Sequence, residues 1–259
     1  MKTIKIIKIG GNIVNDEKTL DIFLKNFSEI KTPKVLVHGG GKLASELSKK
    51  IGIPVKMIDG RRVTDAHTLD VATMVYAGKI NKNIVAQLQS NKLNAIGLSG
   101  ADANTITSIQ RPATPIDFGF VGDIIKVNTS IIELLLKNNI TPVFCAITHD
   151  NNGNLLNTNA DTIASELAIA LAQNYVTELY YCFEKNGVLR NVDQCDSLIE
   201  KINLKTYLKL KKEQIISEGM IPKLDNCFHA LKNKVLKVNI GTIDMITNSP
   251  KKHTSLHLS

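Results

Sequence analysis

Apolar runs of strand length alternate along the chain with longer segments whose apolar residues recur at helical spacing. Thr3 to Ile9 is a β-branched run that stops at Gly10-Gly11, and Lys34 to His38 is a second strand that stops at Gly39-Gly40-Gly41. Leu20 to Ile30 and Leu43 to Ile51 read as helices, and Thr64-Asp65 can cap a longer one over Thr68 to Asn91, interrupted near Gly78. A short strand over Asn94 to Leu98 follows. The strand–glycine–helix rhythm predicts an α/β fold, a three-layer sandwich with a central, mostly parallel sheet and helices on both faces.

Phe118 to Asn128 breaks the rhythm, with Gly119 and Gly122 inside an alternating segment, and predicts a small β-hairpin inserted at the sheet's edge. A helix over Ile131 to Lys137 and a buried strand over Ile140 to Ile147 come next, and Asn151-Asn152-Gly153 is a hairpin-turn signal. The βα rhythm then resumes with a helix Ala160 to Gln173, a strand Val176 to Cys182, helices Leu204–Ile216 and Ile221–Lys234, and a strand Val235 to Ile240. Residues 249–259 read as a frayed tail. One continuous unit is expected, with lobes of about 1–175 and 176–248.

Composition narrows the function. Charge is +8, from 32 basic and 24 acidic residues, which suits an anionic substrate. The basic residues are scattered and the 12 Phe and Tyr residues, with no Trp, offer no stacking platform, so neither nucleic acid nor membrane is an expected partner. Cys145, Cys182, Cys195 and Cys227 form no C-x-x-C pair, which argues against a zinc site or a disulfide framework. Lysines interrupt the first apolar run, so it lacks the core of a secretory signal, and no apolar stretch approaches membrane-spanning length. A cytoplasmic protein is expected.

Four segments can carry chemistry. Lys8 precedes Gly10-Gly11 at the end of the first strand, where backbone N–H groups and a lysine can approach an anion together. His38-Gly39-Gly40-Gly41 ends the second strand, and such clusters at strand C-termini mark where open α/β sheets place ligands. His38 itself reads as a strand-end packing residue. Asn157-Thr158-Asn159-Ala160-Asp161 crowds three ionic or amide side chains before an apolar helix, when capping needs one. Gly219-Met220-Ile221-Pro222-Lys223 puts a lysine in a first helical turn, where a cation opposes the helix dipole unless an anion is near. Neither the P-loop nor the dinucleotide-binding glycine pattern is present.

With Gly60-Arg-Arg-Val-Thr-Asp and Gly97-Leu-Ser-Gly, these segments resemble, in order and spacing, the amino-acid kinase family, from Lys8 to about Ile240. Within it the resemblance is to the branch acting on N-acylated glutamate rather than on aspartate, glutamate, carbamate or UMP. It implies ATP-dependent phosphorylation of the side-chain carboxylate of N-acetyl-L-glutamate, the second step of arginine biosynthesis, with Mg2+ carried by ATP. The same reaction on N-succinyl-L-glutamate, or a catalytically silent sensor, are the alternatives.

By position the resemblance makes Lys8 and Lys223 the transition-state lysines with Asp161 as their organiser. Gly10 and Gly11 would approach the phosphoryl group, Gly40 and Gly41 the acylated amino acid, and Arg62 would clamp its carboxylate, with Asn157 on its backbone. Arg61 is then left to the surface. One departure stands out: where the family carries Thr/Ser-Asp-Val-x-Gly-Val, this chain has Phe183-Glu184-Lys185-Asn186-Gly187-Val188. Glu184 and Gly187 would keep nucleotide-binding positions while Phe183 replaces a hydroxyl. Because the first strand begins near residue 3, the extra N-terminal helix of arginine-inhibited relatives is not expected, which implies a homodimer insensitive to arginine.

Overall fold

The computed structural model describes residues 1–58, 60–191, 194, 196–216, 220–247 and 249–258, with the side chain of residue 222 also left out. Cys195 and Gly219, both named above, lie outside the described residues.

The chain opens with β1 (Thr3–Ile9), α1 (Gly11–Asn15), α2 (Glu17–Glu29), β2 (Lys34–His38) and α3 (Gly41–Lys50). A two-stranded ribbon of β3 (Met57–Ile58) and β4 (Arg61–Arg62) leads to α4 (Ala66–Thr73). The helix then passes through a π-helical stretch, Met74–Ile80, into α5 (Asn81–Ser90), so the expected interruption near Gly78 is a widened turn rather than a break. After β5 (Ala95–Leu98) come β6 (Ile106–Gln110), β7 (Gly122–Val127), α6 (Ser130–Lys137), β8 (Thr141–Phe144), β9 (Ile147–His149), β10 (Leu155–Asn157) and α7 (Ala160–Leu171). The C-terminal part holds β11 (Val176–Cys182), β12 (Lys201–Ile202), α8 (Leu204–Lys212), α9 (Ile221–Lys232), β13 (Lys237–Gly241) and β14 (Thr254–Leu256).

Eight strands form the central sheet in the order β12-β14-β13-β11-β1-β2-β8-β5. All neighbours are parallel except β13 and β14. Side chains alternate across a strand, so Ile4 and Ile6 face one side of β1 while Ile7 and Ile9 face the other, and all four are fully buried. Both faces of the sheet are therefore covered, as parallel sheets require. Each such isoleucine contributes on the order of 1.5–3 kcal/mol over an exposed position. Among the helices, α7 packs on β1, β2 and β11, and α5 on β5 and β8.

Three local expectations change. The Phe118–Asn128 segment supplies only one strand, β7, whose antiparallel partner is β6, and both belong to a second sheet of order β10-β9-β6-β7. The insertion is thus a separate four-stranded sheet, and Ile106–Gln110 is the arm that alternation alone did not reveal. The expected strand Ile140 to Ile147 is two: the chain leaves the central sheet at Phe144 and enters the second sheet at Ile147. The expected tail over 249–259 is not frayed across its described residues, 249–258, because β14 inserts between β12 and β13 with Thr254 and Leu256 fully buried. Thr254 Oγ1 donates to Ile199 O at 2.7 Å and accepts from Val188 N at 2.8 Å, which satisfies it inside the sheet. The Asn151-Asn152-Gly153 turn does join an antiparallel pair, β9 and β10.

Candidate active site

Parallel pairing of β1 with β11 sets Lys8 opposite Tyr181, one residue before both strands end. Helix α7 crosses the same edge with its N-terminus, where Asn159 is the cap, its Oδ1 accepting from Asp161 N at 2.7 Å and Thr162 N at 3.2 Å. Asp161 is thereby released from capping. Its Oδ1 lies 2.6 Å from Lys8 Nζ and its Oδ2 3.6 Å from Lys223 Nζ, with the three side chains only 11–19% exposed. Lys223 enters from the first turn of α9. Burial pushes the Asp161 carboxyl up, but the charges of Lys8 and Lys223 outweigh it, so its pKa lies below the ordinary carboxylate value. One carboxylate between two ammonium groups leaves a net positive cluster at the C-terminal edge of the sheet.

Two aromatic residues complete the cluster, and sequence reasoning assigned neither a part in it. Tyr181 OH donates to Asp161 O at 3.0 Å. The Lys223 Nζ stands 5.2 Å from the Phe183 ring centroid and 6.0 Å from that of Tyr181. The available signal was the alternation Leu179, Tyr181, Phe183, which puts both rings on the face that carries Lys8.

The glycine clusters serve different ends. Gly10 N donates to Cys182 O at 3.2 Å, which ties the turn after β1 to the end of β11, while the space beside Gly11 is open. At Gly40 a Cβ would stand 2.4 Å from Ile80 Cδ1 and 2.8 Å from Tyr76 Cδ1. The π-helical stretch therefore presses on Gly40 closely enough that any side chain there would collide with Ile80 and Tyr76. Gly41 begins α3 with ordinary clearance.

Arg62 is 8% exposed, and its Nη2 donates to Gly41 O at 2.8 Å and Ser45 Oγ at 2.6 Å. Its Nη1 is buried with no partner among the described residues. Among the described residues no carboxylate pairs with this guanidinium, which leaves a buried cation with an unused donor. Asn157 faces the same region through Thr64, its Nδ2 donating to Thr64 Oγ1 at 3.0 Å. Backbone bonds from Thr64 N to Phe118 O (2.8 Å) and from Asn157 N to Phe120 O (2.9 Å) join the two segments.

The remaining positions separate. His38 is fully buried, one ring nitrogen on Gly39 O at 2.9 Å and the other on Asn81 Nδ2 at 3.0 Å, and burial lowers its pKa to about 4. It is a neutral packing residue. Arg61 is exposed, on the opposite face of β4 from Arg62. Glu184 is exposed, and Gly187 is buried against β14 and Leu198. Cavities of about 550 Å³ beside Met74 and Phe120 and about 520 Å³ beside Arg61 and Arg111 both lie away from the lysine cluster.

Comparison with known proteins agrees with this architecture. The sequence model of the amino acid kinase family matches residues 3–242. The acetylglutamate kinase of Cytophaga hutchinsonii is 55% identical over 241 residues, 93% of this chain and 91% of the relative. That of Phocaeicola vulgatus is 52% identical over 235 residues, 91% of each chain. A crystal structure of smu.665 from Streptococcus mutans UA159 superposes with a TM-score of 0.83 at 26% identity, covering 99% of both chains. A family pattern over nearly the whole length and relatives half identical across nine-tenths of it lead to one conclusion: this chain belongs to the amino acid kinase family.

Proposed function

We propose that the protein transfers the γ-phosphoryl group of ATP to the side-chain carboxylate of N-acetyl-L-glutamate, giving N-acetyl-L-glutamyl 5-phosphate and ADP, the second step of arginine biosynthesis. The observation that carries the reading is the Lys8–Asp161–Lys223 cluster, found in a chain about half identical to acetylglutamate kinases.

The acceptor carboxylate, with an ordinary pKa of about 4.3, is ionised at neutral pH, so the reaction needs no general base. It needs two anions brought together and the charge that spreads over the phosphoryl oxygens neutralised. Lys8 and Lys223 supply that positive charge. Asp161, held ionised by both, keeps them apart and aimed and takes no proton. Gly10 and Gly11 leave the phosphoryl group room to approach the end of β1. On the acceptor side, Arg62 offers its unused Nη1 to the substrate's α-carboxylate, Asn157 binds the substrate backbone, and Gly40 and Gly41 floor that pocket.

Residues up to about 175 form the acyl-amino-acid lobe. The strands from β11 onward form the nucleotide lobe, with Glu184 and Gly187 on the nucleotide side and β14 added to it. Mg2+ is proposed to come with the nucleotide, held by its phosphates. The protein is proposed to act as a cytoplasmic homodimer. No helix among the described residues is long and apolar enough to cross a membrane.

The test is ADP release with Mg-ATP, comparing N-acetyl-L-glutamate, N-succinyl-L-glutamate and L-glutamate, with Lys8→Ala as control. Turnover on the acetylated substrate, reduced about 10²–10³-fold by Lys8→Ala, is the expected result. Preference for the succinylated substrate would correct the acyl group, and silence on all three would overturn the kinase reading.

A further inference from the structure

Lys223 is held less tightly by Asp161 than Lys8 is. The carboxylate oxygen facing Lys223 stands at 3.6 Å, against 2.6 Å for Lys8, and a lysine side chain has four rotatable bonds to wander through. On its other side the ammonium meets the ring of Phe183 at 5.2 Å, with the Tyr181 ring at 6.0 Å. That ring does not hang from a free loop. Phe183 N donates to Gly241 O at 2.9 Å, which ties its backbone to the end of β13, and its side chain packs against the hydrophobic core. It occupies the position where the family resemblance led to a hydroxyl residue.

We propose that Phe183 is a positioning residue for phosphoryl transfer, its ring holding the Lys223 ammonium in place beside Asp161; the proposal rests on the kinase reading above. The choice of an aromatic face has a chemical reason. A second carboxylate there would cancel the charge that the transferring phosphoryl group requires, and a hydroxyl would occupy one of the ammonium's N–H donors. The negative face of a ring attracts the cation while leaving its full charge and its donors free for an anion. Tyr181 contributes from the next position on the same face, and its hydroxyl is engaged on Asp161 O, so one aromatic pair braces both the lysine and the residue opposite it.

The experiment compares Phe183→Leu, which keeps apolar bulk and removes the ring, with Phe183→Tyr, which keeps the ring. Phe183→Leu is expected to lower kcat about tenfold with KM for ATP and for the acylated amino acid changed less than about twofold, and Phe183→Tyr to retain the wild-type rate. A wild-type kcat in Phe183→Leu, a loss confined to KM for ATP, or an equal loss in Phe183→Tyr would overturn the positioning role.

A second readout does not depend on turnover. In protein labelled with 13C-lysine, the Lys223 ε-CH2 signal, assigned with Lys223→Arg, is expected upfield of the other lysines through the ring current and restored to their position in Phe183→Leu. Normal wild-type turnover with an unshifted signal would overturn this proposal alone. A shifted signal with no turnover on any substrate would overturn the kinase reading, and the positioning role with it.

Discussion

Replacing Asp161 by Asn keeps the shape of the side chain and removes the charge on which two lysines converge. The loss is to both folding and chemistry. Removing one partner of a buried ion pair costs about 3–5 kcal/mol because an unpaired charge remains. Here two ammonium groups are left facing each other, but the three side chains are 11–19% exposed and water can reach them, so about 2–4 kcal/mol is expected. Turnover should fall about 10²-fold, since neither lysine is aimed.

The pH dependence has a definite sign. The folded-state pKa of Asp161 lies below its ordinary value, so the unfolded chain takes up the proton first as pH falls. The stabilisation is therefore complete above the unfolded pKa of about 3.9 and is lost as pH falls through the lower folded value. Urea unfolding at a series of pH values, with ADP release measured at pH 7, tests this. The wild type and Asp161→Asn should differ by a constant amount above about pH 5 and converge only in stronger acid. In a Lys8→Met, Asp161→Asn double variant the cost should be less than the sum of the single changes, because one of the two stranded ammonium groups and their mutual repulsion are gone. The reasoning is refuted if Asp161→Asn unfolds within about 0.5 kcal/mol of the wild type at pH 7 and keeps more than about a third of its kcat.

Three further outcomes follow from the same geometry. His38, neutral and buried with a pKa of about 4, should make the fold lose stability as pH drops from about 6.5 toward 4, where the unfolded chain binds a proton and the folded one does not. The loss approaches about 3 kcal/mol, and a His38→Gln variant should show a flatter profile in that window by thermal melting against pH. Arg62→Lys should raise KM for the acylated amino acid about 10- to 100-fold with a smaller change in KM for ATP, because an ammonium in the place of Nη2 can keep Gly41 O and Ser45 Oγ but has no second nitrogen at the position of Nη1 to present to a carboxylate. Gly187→Ala should destabilise the protein by about 2 kcal/mol or more in a urea titration, since its φ of +153° is a conformation other residues rarely adopt and its Cβ would meet Thr254 Oγ1 at 2.4 Å.

Read as a line of residues, the chain already specified most of its elements. The bounds of β1, β2 and β11 match the predicted runs at both ends, because a strand covered on both faces is rich in β-branched and other apolar residues even where Lys5, Lys8 or Glu178 interrupts it, and Gly10 and Gly39 stop the first two. Lys8, Asn157, Asp161 and Lys223 were legible for a related reason, each being a polar residue that its local element did not need. Which of them meet was decided elsewhere. Lys8 and Lys223 reach one carboxylate only because β1 pairs with β11 and α7 crosses that edge, and strand order depends on burying both faces of the sheet at once.

The same non-local packing drew a polar C-terminal stretch into the sheet as β14 and gave β7 its partner in a second sheet. At Gly40 it supplied a reason for the glycine, a close π-helical neighbour that no nearby residue announces. Phe183 shows the division most plainly. In sequence it is a hydroxyl position occupied by an apolar ring, and only where the ends of β11 and β13 meet the first turn of α9 does that ring come to lie against a lysine.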